Sequence, residues 1–199
     1  AYADPGFFRL FDFELLKGDR ASCLSMPGQV VITERIARKY FRDEEPMGKI
    51  LVFNSNIGKV SCEVTGVMKE MPSNSHIHYN FLLSYKSLPK WVQEYWYKHE
   101  IYTYVLLDSR ERKEEIERAF PGMAEKYKTE EALKNKTWGV RLVPLEDIHL
   151  TPQLGYEAEQ KGNRSAIIAL VFAAVAILVI AWINYINLTV ARSMERAKE

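Results

Sequence analysis

Ala166–Ile183 reads AIIALVFAAVAILVIAWI and forms the centre of a stretch, Ser165–Ala191, of 27 residues without one charge. With a helical rise of 1.5 Å per residue, its 18 core residues span about 27 Å, close to the roughly 30 Å hydrocarbon thickness of a bilayer. A fully buried core helix is the alternative, but few helices of soluble proteins run so long without a polar face, so the stretch is read as a membrane-crossing helix. It lies at the C-terminal end of the sequence, not where a signal peptide would stand. Lys161 and Arg164 flank one end, Arg192, Arg196 and Lys198 the other, and Trp182 and Tyr185 suit an interfacial belt. Three cations after the span against two before it favour a cytoplasmic C-terminus.

One face of this helix differs from the rest. Ala166, Ala169, Ala173 and Ala176 recur at spacings of three and four, and Ile180, Asn184, Asn187 and Ala191 continue the stripe. Small residues let helix backbones approach, and an amide in lipid needs a partner, so the stripe is expected to pack on other helices. A lone anchor has no need of it, and a multi-span protein of which this chain holds one span is the expectation.

Residues 1–164 carry 24 Lys plus Arg and 24 Asp plus Glu. A net charge of zero provides no basic field to collect nucleic acid, and the charges form no long run. The chain opens within an apolar run (Phe7, Phe8, Leu10, Phe11, Phe13, Leu15, Leu16), so further sequence is expected upstream. Asp4-Pro5-Gly6 is a turn. Gln29–Ile32 is a β-branched strand, Thr33 a helix cap, and Glu34–Phe41 a helix whose Ile36, Ala37, Tyr40 and Phe41 share a face, stopped by Pro46 and Gly48. Strands at Lys49–Phe53 and Lys59–Met68 are joined through Asn54–Gly58 as a hairpin. Further strands are expected at His78–Ser84, Ile101–Leu107 and Val140–Pro144, a short helix or lid at Trp91–Tyr97, and a helix at Glu111–Tyr127 kinked or split by Pro121. Glu146–Asn163 reads as irregular. The class is α+β (mixed α/β), followed by one transmembrane α-helix.

Little of this carries chemistry. Cys23 and Cys62 can be two buried thiols or a disulfide. His76 and His78 have no third ligand at a recognised spacing, Glu146, Asp147 and His149 or Glu157 and Glu159 are polar-loop clusters, and there is no glycine-rich phosphate loop. Catalysis, cofactor and metal are therefore not expected. The aromatic concentration of Trp91, Tyr95, Trp96, Tyr97, Tyr102 and Tyr104 is either a subdomain core or a groove, in which Trp91 and Trp96 would offer a ligand or partner surface.

The order of several motifs carries a resemblance. Tyr2–Phe8, Phe11-Asp12-Phe13 and Leu16–Asp19 come first, then Val31–Glu34, Ala37, Lys39–Phe41 and Pro46–Lys49, and then Val64–Val67. Pro72, Asn74–His76, Asp147–Leu150, Trp182–Leu188, Ala191–Ser193 and Arg196–Glu199 follow. Together they resemble the periplasmic core region, and the helix after it, of MacB/FtsX-like ABC transporter permeases. The resemblance implies an extracytoplasmic core domain over residues 1–164 with a possible insertion at about 76–138, a transmembrane helix at 165–191, and a cytoplasmic start at 192–199 in the bacterial inner membrane. It implies a non-catalytic permease subunit in a homodimer or heterodimer, driven by a separate ABC ATPase that binds the ATP, for export or mechanotransmission. Membrane lipid surrounds the helix, Arg192 and Arg196 mark the cytoplasmic exit, and an envelope adaptor is a further partner in some members. The alternative from the residues alone is a membrane-anchored extracytoplasmic sensor or ligand-binding module.

Overall fold

Thr33, the predicted junction of strand and helix, is the point around which the sheet of the molecule is built. In the computed structural model, which describes residues 1–55, 58–94, 101–127, 135–148 and 164–196, β3 is Gln29–Thr33 and α2 is Glu34–Phe41. The Thr33 hydroxyl accepts the Ile36 N–H at 3.4 Å, and Glu70 accepts the Arg35 N–H at 3.1 Å. Two of the amides left open at the helix start are thereby satisfied, and Glu34 in the first turn complements the helix dipole.

The chain divides into two units, Ala1–Leu142 and Val143–Glu199. In the first, β1 (Tyr2–Ala3), β2 (Leu15–Gly18), β3, β4 (Ile50–Ser55), β5 (Gly58–Met68) and β6 (Phe81–Ser84) form one mixed sheet in the order β1-β6-β3-β5-β2, with β4 also on β5. β3 is parallel to β5 and β1 to β6, and the other pairs are antiparallel. Glu63 pairs with both Gln29 and Ile50, so β4 lies across β5 from β3, end to end with β2 along the same edge.

Side chains alternate across β3 and fill two cores. Val30 and Ile32 join Ile36, Cys62, Val64, Val67 and Leu83 beneath α2, whereas Val31 joins Phe8, Leu24, Met68, Met71, Ile77 and Leu82 on the other face. A strand covered on both faces reads as the continuous apolar run that Val30–Ile32 is. Opposite it, Val30 pairs with Val64 but Val31 with Gly66, which leaves Thr65 as an extra residue. This bulge turns Val64 and Val67, three apart, toward the same core. Thr65 Oγ1 secures it by donating to the carbonyls of Cys23 at 2.6 Å and Val30 at 3.3 Å.

Several elements differ from expectation. α2 has its expected bounds, Glu34–Phe41, but it is closed by Arg42, which adopts φ 54° and ψ −114°, and not by Pro46 and Gly48. The strand expected at His78–Ser84 starts at Phe81. Ile101–Leu107 and Val140–Pro144 are not strands. β-propensity reports fit to a half-buried pleated surface, and in Ile101–Leu107 only Tyr104 and Leu107 are shielded from solvent. Leu142 gives its N–H to Glu117 at 2.7 Å instead of to a strand carbonyl. α3 is Lys90–Gln93, and Tyr95–Tyr97 lie outside the described residues, as do Asn56 and Ile57 of the hairpin turn and His149 and 151–163 of the segment before the last helix. α4, Arg112–Tyr127, continues through Pro121 as one helix and buries Ala124 alone.

The second unit holds a 3-10 turn at Leu145–Asp147 and α5, Arg164–Arg196. Its Ser165–Ser193 portion is the one helix, among the described residues, long and apolar enough to cross a membrane. Thr189 and Ser193 donate their hydroxyls to the carbonyls of Tyr185 and Val190, both at 2.8 Å. Inside the helix these polar groups need no water.

Candidate functional site

α5 is unbroken across the Ala/Asn stripe. At about 100° per residue, Ala166, Ala169, Ala173, Ala176, Asn184 and Asn187 fall within an arc of roughly 80°, with Leu178 on the far side. Arg192 and Arg196 belong to the last turns of α5.

On the outer unit, Trp91 stands on α3 beside the buried Val92 and is 61% exposed, and Trp96 lies outside the described residues. Tyr104 is drawn away from solvent. Its hydroxyl is 3.0 Å from His76 Nε2, and its ring meets Phe11 edge-on at 5.0 Å. Phe11 in turn contacts Phe7 and Phe13. This aromatic cluster closes the core on the side away from α2, and burial pushes the Tyr104 hydroxyl up to about 12. His78 Nε2 is 3.0 Å from the Pro72 carbonyl oxygen, and no group of three metal-ligating side chains occurs among the described residues. Glu146 and Asp147 sit in the 3-10 turn.

The two cysteines are free and buried. Cys23 belongs to one core and Cys62 to the other, so the sheet separates them. Burial raises both thiols, Cys23 to about 11. Because the thiolate is the reactive form, neither cysteine of the native protein is expected to react with maleimide at pH 7, and both are expected to react in urea. A native Cys23–Cys62 bridge, seen as loss of both thiols after oxidation without unfolding, would contradict this arrangement.

The surface of the first unit is laced with exposed ion pairs, among them Lys17–Glu45 at 2.7 Å, Arg38–Glu34 at 2.7 Å and Lys49–Glu44 at 3.0 Å. Such pairs stabilise little individually, but they neutralise Lys17, Arg38 and Lys49 around the end of α2. Arg42 differs, since it forms no ion pair with any described residue and holds a backbone conformation that costs of order 1–3 kcal/mol. Beside it, between α2 and the edge strand β2, lies a cleft of about 260 Å³. The sequence reading missed it, because neither a turn of this type at Arg42 nor the proximity of β2 leaves a local signal.

A mixed sheet with helices is followed in the chain by one helix long and apolar enough to cross a membrane. The model of the MacB-like periplasmic core domain matches residues 1–122, and the chain belongs to that family of ABC permease domains. A crystal structure of a domain described as that of a permease protein from Porphyromonas gingivalis is similar in fold, with a TM-score of 0.54 and 22% identity over 80% of this chain and 71% of that one. The periplasmic region of MacB from Actinobacillus actinomycetemcomitans gives a TM-score of 0.32 and 21% identity over 42% of this chain and 36% of that one. No curated protein matches the chain.

Proposed function

We propose that this chain is part of a non-catalytic permease subunit that couples ATP hydrolysis by a partner ABC ATPase to movement of its extracytoplasmic domain, for export or mechanotransmission. The observation that carries the reading is the succession of a MacB-like periplasmic core domain and an unbroken apolar helix. In this reading α5 crosses the inner membrane with residues 1–164 outside, and Arg192 and Arg196 emerge on the cytoplasmic side toward the ATPase. The Ala/Asn stripe packs on other helices of a permease dimer. The possible insertion at about residues 76–138 belongs to the same extracytoplasmic domain, and within it Tyr104 packs on Phe11. Trp91 on that part is available to an envelope partner.

Co-purification of the full-length permease with the ATPase encoded beside it tests the reading. Association is expected, with ATP hydrolysis at least several-fold faster in the complex than in the isolated ATPase. Failure of any ATPase to associate, together with a signalling domain beyond the helix, would instead make the chain a membrane-anchored sensor.

A further inference from the structure

At the end of α2 the chain reverses through Phe41–Glu44, closed by a hydrogen bond from the Glu44 N–H to the Phe41 carbonyl at 2.9 Å. Arg42 adopts φ 54° and ψ −114°, values of the first central residue of a type II′ turn, where glycine predominates. Among the described residues it is the one non-glycine with positive φ. The adjoining cleft is lined by the apolar side chains of Leu16 of β2, Ala37 of α2, Val67 of β5 and Pro46 and by Arg42 and Asp43, together with Glu34 and Glu44, which are paired with Arg38 and Lys49. The lining cations Lys17 and Arg38 are held by Glu45 and Glu34, each at 2.7 Å. Arg42 and Asp43 form no ion pair with any described residue.

We propose that this cleft binds the C-terminal residue of a partner polypeptide, one with an apolar side chain. The planar guanidinium of Arg42 matches a carboxylate through two parallel hydrogen bonds. Asp43 can accept an amide N–H of the same terminus, and the apolar lining takes the side chain. A volume of about 260 Å³ is below the 300–1,000 Å³ of sites for drug-sized ligands and suits a single residue. β2 is the outermost strand along this part of the sheet, so an extended chain can approach beside it. The strained backbone at Arg42 is the independent indication, since glycine would serve the turn better. This site goes beyond the proposed coupling function, and its test involves no ATPase.

The test is a methyl NMR titration of the whole chain in lipid nanodiscs with N-acetyl-Ala-Leu, its C-terminal amide and inorganic phosphate. The acid peptide is expected to shift the Leu16, Ala37 and Val67 methyls saturably, with at least tenfold weaker binding of the amide and of phosphate. Arg42→Gly relieves the turn, so its melting temperature is expected to hold or rise while peptide affinity falls at least tenfold. Arg42→Lys, which keeps the charge but not the fork, should also bind more weakly than the native protein. Undiminished binding by Arg42→Gly, equal binding of acid and amide, phosphate matching the peptide, or the absence of saturable shifts would each overturn the proposal.

Discussion

Gly18→Ala is expected to destabilise the outer unit by about 3–5 kcal/mol, a large share of the roughly 5–15 kcal/mol that holds a domain of this kind folded. Gly18 has φ +96°, which L side chains rarely adopt, and a Cβ there would stand 2.4 Å from the Thr65 carbonyl oxygen and 3.0 Å from Gly66 Cα. Both obstacles are backbone, and neither can swing aside. Thr65 is the bulged residue whose hydroxyl binds the Cys23 and Val30 carbonyls. Relief of the clash therefore requires movement of the bulge, and with it the register that places Val64 and Val67 beneath α2. Gly58 provides the control. It has φ +115° but no atom of a described residue within 4 Å of its Cβ position, so Gly58→Ala is expected to meet the conformational cost alone, about 1 kcal/mol or somewhat more. Urea unfolding followed by circular dichroism measures both. Equal losses at the two sites would show that close approach at Gly18 contributes nothing.

This contrast also marks the boundary of what the sequence discloses. Gln29–Phe41 was legible because each step is local: a β-branched run, a threonine that caps, and four residues of one helix face. The hairpin was legible because Asn54 and Gly58 tolerate the backbone of a tight connection. The bulge at Thr65 was not, since it is defined by pairing with β3, more than thirty residues away. Ile101–Leu107 misled for a related reason. Its tyrosines and valine are strand formers wherever a sheet offers them a surface, but here Tyr104 enters an aromatic cluster and the exposed Tyr102 and Val105 have no sheet beneath them. Pro46 and Gly48 are strong stop signals, and the helix nonetheless ends before them, at an arginine whose backbone conformation no propensity scale would assign to it. The cleft beside Arg42 therefore became visible only in three dimensions, whereas the apolar stretch of α5 was readable at once from composition.

Composition leaves open which way the faces of α5 look, and here the second large effect is expected. If the Ala/Asn stripe packs on neighbouring helices, Ala173→Phe introduces a side chain where two backbones meet, at a cost of about 1–3 kcal/mol. Replacing Asn184 and Asn187 together by Leu removes interhelical hydrogen bonds of about 0.6 kcal/mol each on average, reaching about 1.7. Either change in the full-length protein should reduce assembled complex by roughly 5- to 150-fold, whereas Leu178→Phe, on the opposite side, should leave assembly unaltered. The buried thiols make a direct readout possible. Because Cys23 and Cys62 are shielded in the two cores, a cysteine introduced at 173, 176 or 178 is the thiol of residues 1–199 expected to react in the native protein. A lipid-soluble maleimide should label position 178 quickly and positions 173 and 176 slowly in the assembled complex, and all three alike once the complex is dissociated. Equal labelling in the assembled state would place the stripe against lipid and reduce α5 to an anchor.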